Sequence, residues 1–236
     1  MSIFYRLLAF LGGMLLITIA FLVERIKFFR RETGLDIIER SVYNTPMARP
    51  RGFDSDLVLD KTAEVFRAKS YASASVDDLE KATGLRRASL YGAFGDKHAL
   101  YLATLRRYDA TRAARLLAEL DAAPSGRKAL ERFFSLALAE CARDPSGCLL
   151  ANAAMERSAV DDAAARCVAD NRRRLEGALH AALLRGRADG SLRPRRDARA
   201  AARFLFTAVL GLRALAKSGG TPAQLREVAK IALSAV

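Results

Sequence analysis

Two arginines, a serine and a tyrosine fall within six positions, as Arg86, Arg87, Ser89 and Tyr91, and Lys97 follows six residues on. An arginine fork donates two parallel N–H bonds, either to O6 and N7 of a guanine or to the oxygens of a phosphate. The Ser89 and Tyr91 hydroxyls and the Lys97 ammonium suit phosphate oxygens. Such a group reads a duplex only if one short rod presents it to a groove. No other constellation competes with it. The chain has no Gly-x-Ser-x-Gly, no phosphate-binding loop and no His-Glu-x-x-His, and its two histidines, His98 and His180, lie far apart in sequence. An enzyme is therefore not expected. Cys141, Cys148 and Cys167 form no Cys-x-x-Cys pair, so they read as reduced thiols without metal-site spacing, and no metal or other cofactor is expected.

The surrounding sequence supplies the rod. Asp54 or Ser55 can cap a helix running to about Lys69, with Leu59, Ala63 and Phe66 on one face. Ser75 opens a second helix, with Asp78 three residues later as an acidic capping box. That helix spans Val76 to Thr83 and turns Leu79 and Ala82 inward. Gly84 stops it where a left-handed backbone is needed. A third helix runs from about Arg87 to Phe94, with Leu90 and Phe94 facing the core. Gly95-Asp96 breaks again, and Asp96 caps a long fourth helix. Two short helices joined by a glycine-containing turn make a helix-turn-helix. The second of the pair enters the major groove by its N-terminal half, and Arg86, Arg87, Ala88 and Ser89 occupy that half.

Residues Phe53–Tyr101 resemble the N-terminal domain of the TetR family of bacterial regulators. The family pattern of Thr/Ser-Leu-Tyr-x-x-Phe, then Gly/Pro-Ser/Asp-Lys and a Leu, is met at Ser89, Leu90, Tyr91, Phe94, Gly95, Asp96, Lys97 and Leu100. The DNA-contact set is thus Ser75, Arg86, Arg87, Ala88, Ser89, Tyr91 and Lys97. Two departures stand out. Glu80 occupies a position where the family has a small residue, so it must bend outward or hold the two helices apart. Gly92 and Ala93 replace bulkier residues of the reading helix, which shifts base readout toward Arg86, Arg87 and Ser89. Upstream, Arg49 and Arg51 form a short basic arm suited to a minor groove.

The C-terminal half reads as helices throughout. They run to about Leu120, then to Arg143, from Cys148 to Ser158, from Val160 to Ala188, from Asp197 to Lys217, and from Thr221-Pro222 onward, with Pro at the first helical position. Phe204 to Leu212 is apolar all round, which implies burial on every side. The resemblance implies that about 197–217 and 221–235 pair with a symmetry mate as a four-helix homodimer interface. It also implies a pocket for a small-molecule effector. Ser146-Gly-Cys-Leu-Leu-Ala-Asn-Ala-Ala154 resembles an element of one branch of the family and nominates Cys148 and Asn152 as pocket residues. Cys148 reads either as a sensor or as a small buried apolar residue.

The expected architecture is all-α: a helix-turn-helix domain over 47–101, a ligand and dimerisation domain over 102–236, and an apolar extension over 1–46. The net charge of +13 suits an anionic partner. Its placement tempers that point, because residues 1–46 carry +2, residues 47–110 carry +2 and residues 111–236 carry +9. Leu7 to Val23 is seventeen residues without a charge, near the lower limit for a bilayer span. Basic residues follow it, so the positive-inside rule would leave the remainder in the cytoplasm. Met47-Ala-Arg-Pro-Arg offers another reading, a start at Met47 with a translated leader upstream. The sequence therefore points to double-stranded DNA as partner and to a ligand-released repressor on a palindromic operator. The alternative is a membrane-tethered helical sensor or adaptor without specific DNA binding.

Overall fold

The computed structural model describes residues 52–144, 146–193 and 197–236. The apolar stretch 7–23, Arg49, Arg51 and Met47 lie outside the described residues. Phe53–Val236 forms one compact unit. Among the described residues there are nine helices and no strand: α1 (Ser55–Ser73), α2 (Val76–Thr83), α3 (Arg87–Phe94), α4 (Lys97–Asp121), α5 (Gly126–Arg143), α6 (Leu149–Glu156), α7 (Asp162–Ala188), α8 (Ala198–Lys217) and α9 (Pro222–Ser234). Among them no helix is long and apolar enough to cross a membrane.

Side-chain caps set the boundaries. Asp54, Ser75, Asp96, Ser125, Asp161, Asp197 and Thr221 each accept backbone N–H bonds at a helix start, satisfying donors that a first turn leaves open. The Ser75–Asp78 capping box is formed in both directions, and Gly84 closes α2 with φ 74°. The last turn of α1 differs from expectation. Its regular part ends near Lys69, but Ser70 turns sharply (φ 67°, ψ 169°) and a further turn carries the chain to Ser73.

Two buried clusters fill the unit. One packs Val58, Phe66, Leu79, Leu90, Leu100, Tyr101 and Leu105 under the first four helices, and extends to Leu149, Leu150 and Ala164 of α6 and α7. The other packs α5, α7, α8 and α9 around Leu130, Phe134, Leu179, Leu205 and Leu212. Helix α4 serves both, with Leu105 in the first and Leu120 in the second. Helices α5 and α7 come very close where Gly126 meets α7. A Cβ there would lie 2.1 Å from the Gly186 nitrogen and 2.3 Å from the Ala182 oxygen, so only glycine fits.

One expectation fails in an informative way. Phe204 to Leu212 is apolar all round, yet it is buried on one side only. Leu205, Val209 and Leu212 are covered, while Phe204, Thr207 and Gly211 are exposed, Phe204 by 47%. On α9, Gln224, Val228 and Ile231 are bare in the same way, Ile231 by 60%.

Candidate functional site

Helix α3 is fixed from beneath and open above. Leu90 is fully buried, and Tyr91 and Phe94 pack partly against the same core. Arg86, Arg87, Ala88 and Ser89 are all exposed, forming an uncovered N-terminal half-turn. The Arg87 guanidinium lies 5.4 Å from the centre of the Tyr91 ring, an i, i+4 cation–π contact that orders both side chains on the open face. Gly92 leaves free space where a side chain would stand.

Glu80 resolves its departure from the family pattern by bending toward α3. The Arg86 side chain makes no cap bond. Instead, the Arg87 backbone N–H donates to Glu80 Oε1. A carboxylate from α2 thus takes the place of the missing cap, and its charge faces the positive end of the α3 dipole. It ties the two helices of the motif together at the turn.

Ser75 and Lys97 are less free than the arginines. The Ser75 hydroxyl donates to Asp78 Oδ2 at 2.8 Å and accepts from the Asp78 N–H at 3.1 Å, while the Ser75 N–H donates to the same carboxylate at 3.0 Å. Lys69 closes on Asp78 at 2.6 Å. Lys69 and the Ser75 donors hold the Asp78 carboxyl well below its usual range. The Lys97 ammonium stands 4.8 Å from the centre of the Tyr71 ring, and burial and the nearby Arg157 push it below the usual lysine value.

Polar contacts join the head to the rest of the unit. The Thr62 and Thr104 hydroxyls meet at 2.8 Å in the core. Arg67 of α1 reaches Asp144 and donates to Ser146 Oγ at 3.0 Å and to the Gly147 carbonyl at 2.9 Å. Asp161, before α7, receives His98 Nε2 at 2.9 Å and Arg157 at 3.1 Å. Burial opposes its ionisation, but the Ala164 N–H, His98 and Arg157 bring its carboxyl down to about 2. His98 lies in the first turn of α4, with its ring also edge-on to Tyr71.

A cavity of about 430 Å³ opens among α4, α5, α6, α7 and α8. Its walls are mostly apolar, with Leu116, Phe133, Leu175, Phe206 and Val209 among them, and Cys148 lines it. Asn152 is not part of the lining. It is buried and spent on structure, accepting from Lys217 Nζ at 3.1 Å and donating to the Ser146 carbonyl at 3.2 Å. Sequence reading missed Arg112, Glu140 and Arg213 in the lining. They lie on three different helices, and no local spacing connects them. Among the described residues no cluster of His, Cys, Asp and Glu could hold a metal ion.

Two family models match the chain, "Bacterial regulatory proteins, tetR family" over residues 58–104 and "Tetracyclin repressor-like, C-terminal domain" over residues 126–232. The uncharacterized HTH-type transcriptional regulator YezE of Bacillus subtilis is 31% identical over 80% of this chain and 98% of its own length. The chain belongs to the TetR family. Among other relatives of this regulator, the HTH-type transcriptional repressor ComR of Escherichia coli is 31% identical over 77% of this chain and 88% of its own. The structure of the present chain resembles that of a cysteine-substituted TetR family transcriptional regulator CifR, solved with a 26-base-pair operator duplex. The TM-score is 0.70 and the identity 31%, over 79% of this chain and 99% of that one. The TetR-type motif begins three residues into α1 and ends within α4, so the matched residues 58–104 contain the whole of α2 and α3.

Proposed function

We propose that this TetR-family regulator is a homodimeric repressor of the cytoplasm that holds a palindromic operator and is released by a small-molecule effector. The carrying observation is the exposed row Arg86, Arg87, Ala88 and Ser89 on a helix anchored through a fully buried Leu90. On this reading Arg86 and Arg87 contact guanine edges or phosphates, Ser89 and Tyr91 contact phosphates, and Ala88 allows close approach to the groove. Lys97 and the Ser75 turn sit at the backbone. Ser75 can join only by giving up a capping bond, so its contribution is the smallest of the set. The relatives named for repression and solved on operator DNA support the same reading.

Two copies are needed because one short helix buries little surface, and half-sites about one turn apart multiply affinity. The uncovered stripes of α8 (Phe204, Thr207, Gly211) and α9 (Gln224, Val228, Ile231) support a two-fold four-helix contact. They carry no charge, and Gly211 permits close helix approach. The effector acts by population shift. It must prefer the form in which the two heads cannot both reach their half-sites, and it shifts the balance only by that preference.

The test is operator affinity, by fluorescence anisotropy, against salt and variant. Several phosphate contacts give a steep linear fall of log K with log salt. Tyr91→Phe should weaken binding to every duplex alike. Arg87→Ala should weaken it by about 1–3 kcal/mol and relax the preference for operator over scrambled DNA. Wild-type operator affinity in both variants would remove the assignment.

A further inference from the structure

We propose that the cavity binds a monoanionic organic acid, its carboxylate taken by Arg112 and Arg213 and its apolar body lying against Leu116, Phe133 and Phe206. That this ligand is also the effector rests on the regulator reading above; that it binds does not.

The charge balance carries the proposal. Arg112 and Arg213 come from α4 and α8 and converge on one oxygen of Glu140 from α5, with Arg213 Nη2 at 3.0 Å from Oε2 and Arg112 on the same atom. Two guanidiniums against one carboxylate leave a net charge of +1 on the wall of a mostly apolar chamber, where Arg213 is 18%, Arg112 26% and Glu140 32% exposed. Partly withdrawn from water, that excess charge attracts an anion more strongly than it would in bulk solvent, and a monoanion balances it. A cation would add to it, and a neutral ligand would leave it unanswered. One forked pair of N–H donors suffices for a carboxylate.

Two neighbours report the same need. The Tyr108 hydroxyl is buried in the cavity lining, against the Cys148 thiol, and stands beside the guanidiniums as a further donor. The Arg112 guanidinium stacks 4.8 Å from the Tyr108 ring centre, so the two donors are held together. The Cys148 thiol feels the field as well. Burial alone would raise it, yet Arg213, the Ala151 N–H, Arg112 and the Tyr108 hydroxyl together hold it below the usual thiol value. Farther out, Arg115, Arg143 and Arg172 stand around the cavity, all exposed, and would draw anions toward it. The volume of about 430 Å³ falls in the range of small-molecule sites.

The arrangement also couples binding to the reading head. Glu140 must share or surrender its arginines to the ligand. Arg112 belongs to α4, whose first turn lies behind α3. A carboxylate that draws Arg112 away from Glu140 therefore pulls on α4 relative to α5.

The experiment is titration calorimetry on the full chain. The acid probes are octanoate and benzoate; octanol, benzyl alcohol and octylammonium are matched tails with other heads. At least one acid should bind, at least tenfold tighter than its neutral counterpart, and octylammonium should not bind. Arg213→Met and Arg112→Met should each weaken the acid by tenfold to a hundredfold, the range of a lost charge-assisted bond, and leave the alcohols unaffected. Glu140→Gln should tighten the acid several-fold, a gain that a purely structural role does not give. If Arg213→Met fails to fold by circular dichroism, the Arg112 and Glu140 variants decide. The proposal is overturned if neither acid binds, if alcohols match the acids, or if the folded arginine variants bind acid as the wild type does. Operator affinity is measured separately. Acid binding with unchanged operator affinity would refute only the release step, and acid binding without any operator affinity would refute the regulator reading instead.

Discussion

Replacing Ser70 with glycine should stabilise the protein, and the structure says by how much. Ser70 sits at φ 67° and ψ 169°, a region that residues with a Cβ rarely enter and that costs of order 1–3 kcal/mol. It is the only non-glycine residue with positive φ among those described. Glycine removes that strain but loses more backbone freedom on folding, worth roughly 0.5–1 kcal/mol. The net gain is therefore about 1 kcal/mol, or roughly 2–4 °C in Tm for a chain of this size. The serine hydroxyl offers little in return, since its contact from the Ser73 N–H is long, at 3.5 Å. Urea unfolding followed by circular dichroism gives the free energy, and calorimetry gives Tm. Ser70→Ala is the control, because alanine keeps the Cβ and hence the strain, so it should gain nothing. A glycine variant no more stable than the alanine variant would refute the strain assignment. The stake goes beyond stability, because this bend is where the chain leaves α1 for α2 and the reading helix.

Three further outcomes follow from the same contacts. Glu80→Ala removes the acceptor that caps α3 and should cost about 1 kcal/mol in urea unfolding, whereas Glu80→Gln, with one oxygen still able to accept, should recover much of it. Gly126→Ala drives a Cβ into the α7 backbone and should cost about 2 kcal/mol or more by the same assay, since neither helix can yield locally. Asp161 gives a pH signature. Its carboxyl is lowered to about 2 in the fold, so its contribution, of order 2 kcal/mol, is complete above about pH 5 and fades as pH falls toward 2. The stability gap between wild type and Asp161→Asn should therefore narrow below pH 4, and a gap independent of pH would exclude the ion contacts as its source.

How much of this was legible in sequence depends on how local each signal is. Caps and breaks are local, so Ser75, Asp78, Gly84 and Asp96 mark α2 and the start of α4 without help from the rest of the fold. The all-helical class follows from the same evidence. The partners of Glu80 and Asn152 are not local. Glu80 was readable as misplaced, but its bond to the Arg87 N–H needs the angle between two helices. Asn152 shares a motif with Cys148, yet the two part at the start of α6. Cys148 faces the cavity, and Asn152, one helical turn on, turns toward Arg67 and Lys217. Thr62 and Thr104, 42 residues apart, give no pattern at all. The apolar run of α8 misleads for another reason. Hydrophobicity on every side predicts cover on every side, and this chain by itself covers only one of them; the proposed second copy would cover the rest.

The distribution of charge then takes on a physical meaning. A nucleic-acid-binding chain is expected to concentrate its basic residues on the reading head, yet residues 47–110 carry only +2 and residues 111–236 carry +9. The head economises on charge because its acids have fixed structural duties. Asp54, Asp78 and Asp96 cap helices, Glu80 caps α3, and Asp56 and Asp60 hold Arg107. Its affinity for DNA must therefore come from where a few cations stand, and Arg86 and Arg87 stand in the open. The C-terminal half has the opposite arrangement. Five of its arginines line one cavity that holds a single acidic side chain, Glu140. Excess charge of that kind contributes little to a distant duplex across a Debye length of about 8–10 Å, but it acts strongly on an anion a few ångströms away. On this view the protein has two anion-binding regions, one shaped for a groove and one for a small acid, with α4 as the rod between them.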